Sequence, residues 1–222
     1  MTMTTPNQVA GPAQPVEMVR RTALLAAILI SGGNLLIPRM PVLAVLILMA
    51  LMAIAATPAH AIRVRFGLIY ALLAAVLLAI IFRSGLAEMS SILVRYANFL
   101  AGILLLKMYM RSGTDAFVSD LQALLRPLAW IALATVFLAT LFEPAFQTRE
   151  VEETTYHHFL YIFNYHVMLE DAGGLHRPNG LFFEPGVFQF YLNLYLYLAL
   201  FVLRSRWQSA LALAAVLSTQ ST

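Results

Sequence analysis

The residues best suited to chemistry in this 222-residue chain lie close together between His176 and Gly186. Arg177 carries a guanidinium, a planar fork that binds phosphate oxygens through two parallel hydrogen bonds. Glu184 directly precedes Pro185, which fits the first position of a helix, so we predict Glu184 at the helix N-cap. Helix N-termini favour anions, and a pyrophosphate group would therefore fit beside Arg177 and His176.

A turn is predicted between these two charged residues, because Pro178-Asn179-Gly180 is a strong turn sequence. This turn would fold Arg177 back over the helix start, close to Glu184. Glu184 would then act as a general base on a hydroxyl group, provided that partial burial favours its protonated form. The alternative interpretation is structural: Arg177 anchors the chain at a membrane interface and Glu184 only caps the helix.

The helix that follows this turn carries polar residues at a regular spacing. Gln189, Asn193 and Tyr197 are four residues apart, so they share one helix face. Polar residues within a membrane span usually face a cavity or the neighbouring helices. Gln189 and Asn193 are therefore candidates for substrate binding, and hydrogen bonding between helices is the equally good alternative.

The elements that position these residues are predicted to be membrane helices. Hydrophobic residues make up 61% of the chain and charged residues 11%, whereas a soluble domain has about 25% charged residues. Apolar blocks alternate with charged clusters, as in repeated membrane spans. The fold predicted is an all-α, polytopic transmembrane helix bundle of about seven spans, the last incomplete. The spans are predicted at residues 22–37, 41–57, 66–82, 92–110, 127–142, 181–203 and from 209 onward.

Four regions follow from this division of the chain. Residues 1–21 are predicted to be a disordered cytoplasmic tail, 22–142 five spans, 143–180 an external loop, and 181–222 the sixth span and the start of the seventh. Within the loop, the aromatic run Tyr156–His166 predicts a short helix at the outer interface. Asp115 and Asp120 are predicted to cap or solvate a short amphipathic helix in a cytoplasmic loop.

Charge predicts the orientation of the bundle. If the N-terminus is cytoplasmic, Lys and Arg at positions 20, 21, 63, 65, 107, 111, 126, 204 and 206 lie inside, against 39, 83, 95, 149 and 177 outside. This distribution follows the positive-inside rule. The Lys and Arg of the cytoplasmic loops also explain the basic pI of about 9.4. The lipid bilayer is therefore the expected partner, and no nucleic-acid motif is present.

Metal and cofactor chemistry is not predicted. The chain has no cysteine, which excludes disulfides and thiolate metal sites. Histidines 157, 158, 166 and 176 fall in the external loop near several acidic residues, but their spacing matches no recognised metal motif.

The run from Arg177 to Tyr191 resembles a signature of bacterial O-antigen polymerase and O-antigen ligase-like membrane proteins. In that family a long external loop ends in an Arg, then a Gly, then a Glu-Pro or Asn-Pro dipeptide before a membrane helix, here Arg177, Gly180, Glu184 and Pro185. The resemblance covers residues 177–222, including the hydroxyl-rich ending. It implies transfer of glycans from an undecaprenyl diphosphate carrier to an acceptor, at the outer face of the inner membrane.

The resemblance also assigns roles and sets expectations for the rest of the protein. It implies that Arg177 binds the diphosphate as the leaving group and that Glu184 positions Arg177 or the acceptor hydroxyl. Family members have more spans and a second large external loop, so we expect this chain to be the N-terminal part of a longer enzyme. A membrane transporter or exporter, with the polar face of the sixth span lining a path, and a non-catalytic scaffold are the alternative functions.

Overall fold

The structure is a computed structural model that describes residues 15–32, 38–56, 72, 74–76, 78–79, 89–151, 154–167, 176–182 and 184–219. Its helices are α1 (Pro15–Gly32), α2 (Arg39–Ala56), α3 (Met89–Ser112), α4 (Thr114–Phe142), α5 (Pro185–Tyr197) and α6 (Arg206–Ser218). A 3-10 turn, Glu143–Ala145, follows α4, and a π-helical turn, Leu198–Val202, extends α5.

Between α4 and α5 the chain forms a four-stranded antiparallel sheet, so the predicted all-α fold is wrong. Its strands are β1 (Gln147–Val151), β2 (Thr154–Phe159), β3 (Phe163–Val167) and β4 (His176–Pro178), and they lie side by side in chain order. The sheet replaces the interfacial helix predicted over Tyr156–His166. Threonine and aromatic residues favour a half-buried strand at least as well as an interfacial helix, and the pairing of β2 with β3 decides between the two.

The turn between β2 and β3 lacks the residues that usually mark a hairpin in a sequence, so the sheet was not predicted. Leu160 and Tyr161 both have positive φ, at 51° and 59°. The Ile162 N–H donates to the Phe159 carbonyl at 3.3 Å. Two consecutive left-handed residues are the geometry of a tight hairpin turn that normally uses Asn-Gly. Leu-Tyr gives no such signal in the sequence.

The predicted seven-span bundle is also wrong. Within the described residues, only Thr114–Ala145 and Pro185–Val202 are long and apolar enough to cross a membrane. The second has 18 residues, or about 27 Å at ~1.5 Å per residue, close to the thickness of a hydrocarbon core. Elsewhere, α6 has only 13 residues, and α1 includes Glu17 and a pair of arginines. The predicted span at 66–82 lies mostly outside the described residues.

The two candidate spans keep much of their apolar surface uncovered. Only 33% of the most apolar window in Thr114–Ala145 is buried inside the protein, and 28% of that in Pro185–Val202. Exposed aromatic side chains include Phe137 on the first and Phe190 on the second, at 61% each. A helix from the core of a soluble protein would be mostly buried, so these surfaces suit an apolar surrounding medium.

Helix α4 begins 13 residues before the start predicted at Pro127, because the helix runs through that proline. A proline inside a helix removes one backbone hydrogen bond, and the exposed position of Pro127 allows its ring to point outward. One continuous helix therefore joins the predicted span to the segment of Asp115 and Asp120, where a short amphipathic helix was predicted in a cytoplasmic loop.

Side-chain contacts fix the directions of the helices. Arg20, near the start of α1, contacts Asp120, near the start of α4. Ser31, near the end of α1, shares a hydrogen bond with Tyr191, near the start of α5. The bundle therefore has a charged end, marked by Arg20 and Asp120, and a sheet end, where the four strands join α4 to α5.

A small apolar core holds the sheet against α4. It consists of the buried residues Ala139, Phe146 and Tyr165, and the rings of Phe146 and Tyr165 meet edge to face with centroids 5.0 Å apart. Burial raises the pKa of the Tyr165 hydroxyl to about 12, and the nearby Glu143 carboxylate adds to the shift. The Tyr165 phenol therefore stays neutral at physiological pH, as a buried hydroxyl must.

Candidate functional site

Arg177 lies at the middle of β4, the edge strand next to α5 in the chain. Its Cα pairs with that of His166 in β3, while His176 pairs with Val167. The Arg177 side chain is half-buried. An edge strand has a neighbour on one side only, and β4 leads directly into the turn before α5.

Buried polar groups of β3 hold that turn in place. The Asn164 side-chain Nδ2 donates to the Gly180 carbonyl at 2.6 Å, and the Asn179 backbone N–H donates to the Asn164 carbonyl at 2.7 Å. The Asn179 Oδ1 and the Nδ1 of His166 are hydrogen-bonded at 2.9 Å. Asn164, Asn179 and His166 are all buried, where such bonds are hardest to lose.

The turn predicted at Pro178-Asn179-Gly180 is confirmed. The Phe182 N–H donates to the Asn179 carbonyl at 3.1 Å, and Gly180 has a φ of +59°, which favours glycine. A Cβ at position 180 would lie 2.7 Å from the Phe188 ring. The turn is therefore packed directly onto the first turns of α5.

Aromatic residues form the surface between this turn and α1. Phe182 stacks on Tyr191 with ring centroids 5.3 Å apart and an angle of 14° between the rings. The Tyr191 hydroxyl is bonded to Ser31 of α1. Sequence reasoning missed this support, because nothing in the sequence pairs position 31 with position 191.

Glu184 occupies the N-cap of α5 and Pro185 the first helical position, as predicted. The Glu184 side chain, however, makes no capping hydrogen bond and is exposed. The partial burial required by the sequence-based argument for a general base is therefore not found. Among the described residues no ion pair joins Glu184 to Arg177.

The remaining candidate residues of α5 lie away from its buried face. That face is formed by Phe188, Leu192 and Tyr195. Gln189 is half-buried, and Asn193 is exposed. Tyr197, the last member of the predicted polar face, is 56% exposed.

Two histidines of the sheet stack on aromatic rings. His157 stacks on Tyr165 with centroids 4.7 Å apart, and His158 stacks on Tyr161 at 5.0 Å. In the part of the chain that the structure describes, no three metal-ligating side chains come together. Of His176, the fourth candidate, only the backbone lies among the described atoms.

The buried carboxylate of Asp120 was missed entirely. It is fully buried and accepts hydrogen bonds from Arg20 Nε at 2.6 Å, Arg21 Nε at 3.1 Å and the Tyr109 hydroxyl at 3.1 Å. Asp120 was predicted to cap or solvate a short amphipathic helix, whereas α1 and α3 cover it in the structure. Its partners on α1 are 100 and 99 residues away in the sequence.

Fold and site together define a helical protein with two helices of membrane-spanning length and an antiparallel sheet between them. Arg177 lies on the last strand of this sheet. Glu184 lies at the start of the second such helix, and its side chain makes no capping hydrogen bond. No protein-family model, curated protein or solved structure matches the chain.

Proposed function

We propose that this chain forms part of a membrane glycosyltransferase of bacterial surface polysaccharide synthesis, which polymerises or ligates glycans carried on undecaprenyl diphosphate. The observation that carries the proposal is the exposed Glu184 carboxylate, which stands at the N-cap of α5 without a capping bond. Arg177 precedes it on β4, and buried hydrogen bonds hold the turn between them. These residues fit the pattern on which the family resemblance rests.

In the proposed reaction an acceptor hydroxyl attacks the anomeric carbon of the lipid-linked glycan. The new C–O bond forms as the bond from that carbon to the diphosphate oxygen breaks. Arg177 binds the departing diphosphate, whose charge is also favoured near the N-terminus of α5. Glu184 takes the proton of the acceptor hydroxyl, since its carboxylate is not engaged in capping. The bound glycan would supply the partial burial that the side chain lacks on its own.

The proposed location is the bacterial inner membrane, with the charged end in the cytoplasm and the sheet end in the periplasm. Arg20 and Arg21 lie at the charged end. Arg111 also lies there, because its Nη1 donates to the Ile54 carbonyl near the end of α2. This concentration of arginine supports the orientation through the positive-inside rule. The sheet end would meet the lipid-linked glycan on the periplasmic side.

The orientation can be tested by cysteine labelling, because the chain contains no native cysteine. Thr148→Cys places one thiol on exposed β1, and Ser119→Cys places one on an exposed position beside Asp120. In intact cells with a permeable outer membrane, a membrane-impermeant maleimide is expected to label only Thr148→Cys. Ser119→Cys is expected to react only after the inner membrane is opened. The reverse pattern would contradict the proposed orientation.

Function can be tested in the full-length gene with Arg177→Ala and Glu184→Gln, assayed by surface polysaccharide length and by protein level. Loss of one charge-stabilising donor, or of a general base, is expected to lower transfer roughly 100-fold. Arg177→Lys keeps the charge but loses the paired hydrogen bonds, so intermediate activity is expected.

Arg149→Ala is the matched control, because Arg149 is exposed on β1, at the opposite edge of the same sheet. It is expected to leave the polysaccharide unchanged. Wild-type polymer with normal protein level in Arg177→Ala would remove the assigned role of that arginine, and the same result in Glu184→Gln would remove the proposed base.

A further inference from the structure

Three arginines and a tryptophan are exposed where α5, α4 and α6 meet, away from the sheet. Arg204 and Arg206 flank the connection between α5 and α6, and both are exposed. Trp207 follows in the first turn of α6 and is 64% exposed. Arg126 of α4 is also exposed. We call these four residues the Arg204 surface.

Hydrogen bonds show that α4, α5 and α6 come together at this level. The Gln122 Nε2 of α4 donates to the Gln208 Oε1 of α6 at 3.1 Å. The Tyr195 hydroxyl of α5 approaches the same Gln208 oxygen at 3.4 Å. Gln122 is one helical turn from Arg126, and Gln208 is next to Trp207, so the members of the Arg204 surface lie within a narrow band.

The positive charge of this surface is not neutralised by any residue that the structure describes. Among the described residues Arg126, Arg204 and Arg206 form no ion pair. Two acids of the charged end, Glu17 and Asp120, are already paired with the arginines of α1. The free guanidinium groups therefore suit an anionic partner from outside the chain.

The backbone of Arg204 has an unusual conformation, which matters for the choice of a test variant. Arg204 has a φ of +51°, in the left-handed region that L-residues other than glycine occupy at a cost. It follows the last turn of the α5 extension, where helices commonly end in glycine. The Ser205 N–H donates back to the Ala199 carbonyl at 3.1 Å. Glycine would be free of this strain.

We propose that the Arg204 surface binds the phosphate headgroups of anionic phospholipids. It lies at the end of Pro185–Val202, a helix long enough to cross a membrane, and tryptophan prefers the depth of the headgroups. Each arginine near an anionic membrane surface favours binding about fivefold. The inference goes beyond the proposed glycan chemistry and does not depend on it.

Trp207 can report binding at this surface directly. The chain has two tryptophans, so Trp130→Phe leaves Trp207 as the only one. The Trp130→Phe chain is reconstituted into vesicles in which brominated phosphatidylglycerol or brominated phosphatidylcholine is the quencher. Stronger quenching by phosphatidylglycerol, reduced by high salt, is the expected result. Equal quenching by the two lipids would overturn the proposal.

Matched variants distinguish an effect of the Arg204 surface on lipid preference from an effect of the net charge of the protein. In the Trp130→Phe background, Arg126→Gln/Arg204→Gln/Arg206→Gln is expected to lose at least tenfold in preference for phosphatidylglycerol. Arg149→Gln, at the sheet end, is expected to change nothing. An equal loss in both variants, or no loss in the triple variant, would contradict the assigned site.

Arg204→Gly separates lipid binding from folding. Because glycine removes the strain at φ +51°, the thermal midpoint is expected to stay the same or to rise. The preference for phosphatidylglycerol is expected to fall about fivefold. A preference that survives this substitution would show that Arg204 does not contact the headgroups.

Discussion

Asp120→Ala is expected to destabilise the chain by about 3–5 kcal/mol, because it leaves buried guanidinium charge without a carboxylate. Asp120 is fully buried, and the Arg20 side chain is only 13% exposed. The same carboxylate accepts from Arg21 and from the Tyr109 hydroxyl. Its loss therefore removes the polar contact that α1, α3 and α4 share. The measurement is thermal or chemical unfolding of the purified chain in detergent.

Asp115→Ala is the matched control, because Asp115 is exposed in the first turn of the same helix. Its effect is expected to stay below about 1 kcal/mol. The double variant Arg20→Met/Asp120→Leu is expected to be more stable than Asp120→Leu alone, since removing both charges avoids an unpaired one. An Asp120→Ala chain as stable as wild type would show that the cluster adds nothing to the packing of the three helices.

The ion pairs of the charged end could not be predicted from a single sequence. Arg20, Arg21 and Asp120 are each ordinary flanking charges of apolar helices, and their types suggest solvated positions. Their pairing depends on the packing of α1 against α4 across about 100 residues of sequence. The positive-inside rule concerns only the side of the membrane on which these arginines lie, and it says nothing of a carboxylate partner.

At the sheet end, the turn and the helix start were predicted correctly. Gly180 in the turn and Glu184-Pro185 at the start of α5 were both found from sequence, because turns and helix starts depend on a few adjacent residues. The sheet was not found, because its hairpin turn uses Leu160 and Tyr161 in left-handed conformations that their side chains disfavour. Short aromatic runs fit a strand or an interfacial helix equally well, and only the pairing of β2 with β3 decides.

The exposed carboxylate at position 184 is the feature that the structure adds to the sequence motif. A glutamate before proline is usually explained as a helix cap, yet Glu184 makes no such bond. The turn before it is held by Asn164 and His166 from the neighbouring strand. The sheet thus positions the Arg177–Glu184 segment at the start of α5 and leaves Glu184 exposed.

Gly180→Ala is expected to destabilise the sheet end by about 2–4 kcal/mol, through left-handed backbone strain and overpacking. The added Cβ would lie 2.7 Å and 2.8 Å from two ring atoms of Phe188, which is fully buried and has little room to move. The turn would have to shift away from α5, and Arg177 and Glu184 would shift with it. Unfolding of the purified chain measures the loss of stability, and surface polysaccharide length in cells that carry the variant gene tests the effect on the proposed function.

A double-mutant cycle separates the backbone strain at position 180 from the overpacking against Phe188. Phe188→Leu removes part of the ring that opposes the new Cβ, so Gly180→Ala is expected to cost less in that background, while the strain from φ +59° remains. Gly186→Ala is the control within α5, because no atom lies within 4 Å of a Cβ there, and it is expected to be neutral or slightly stabilising. If Gly180→Ala is tolerated as well as Gly186→Ala, the turn does not hold Arg177 and Glu184 in place.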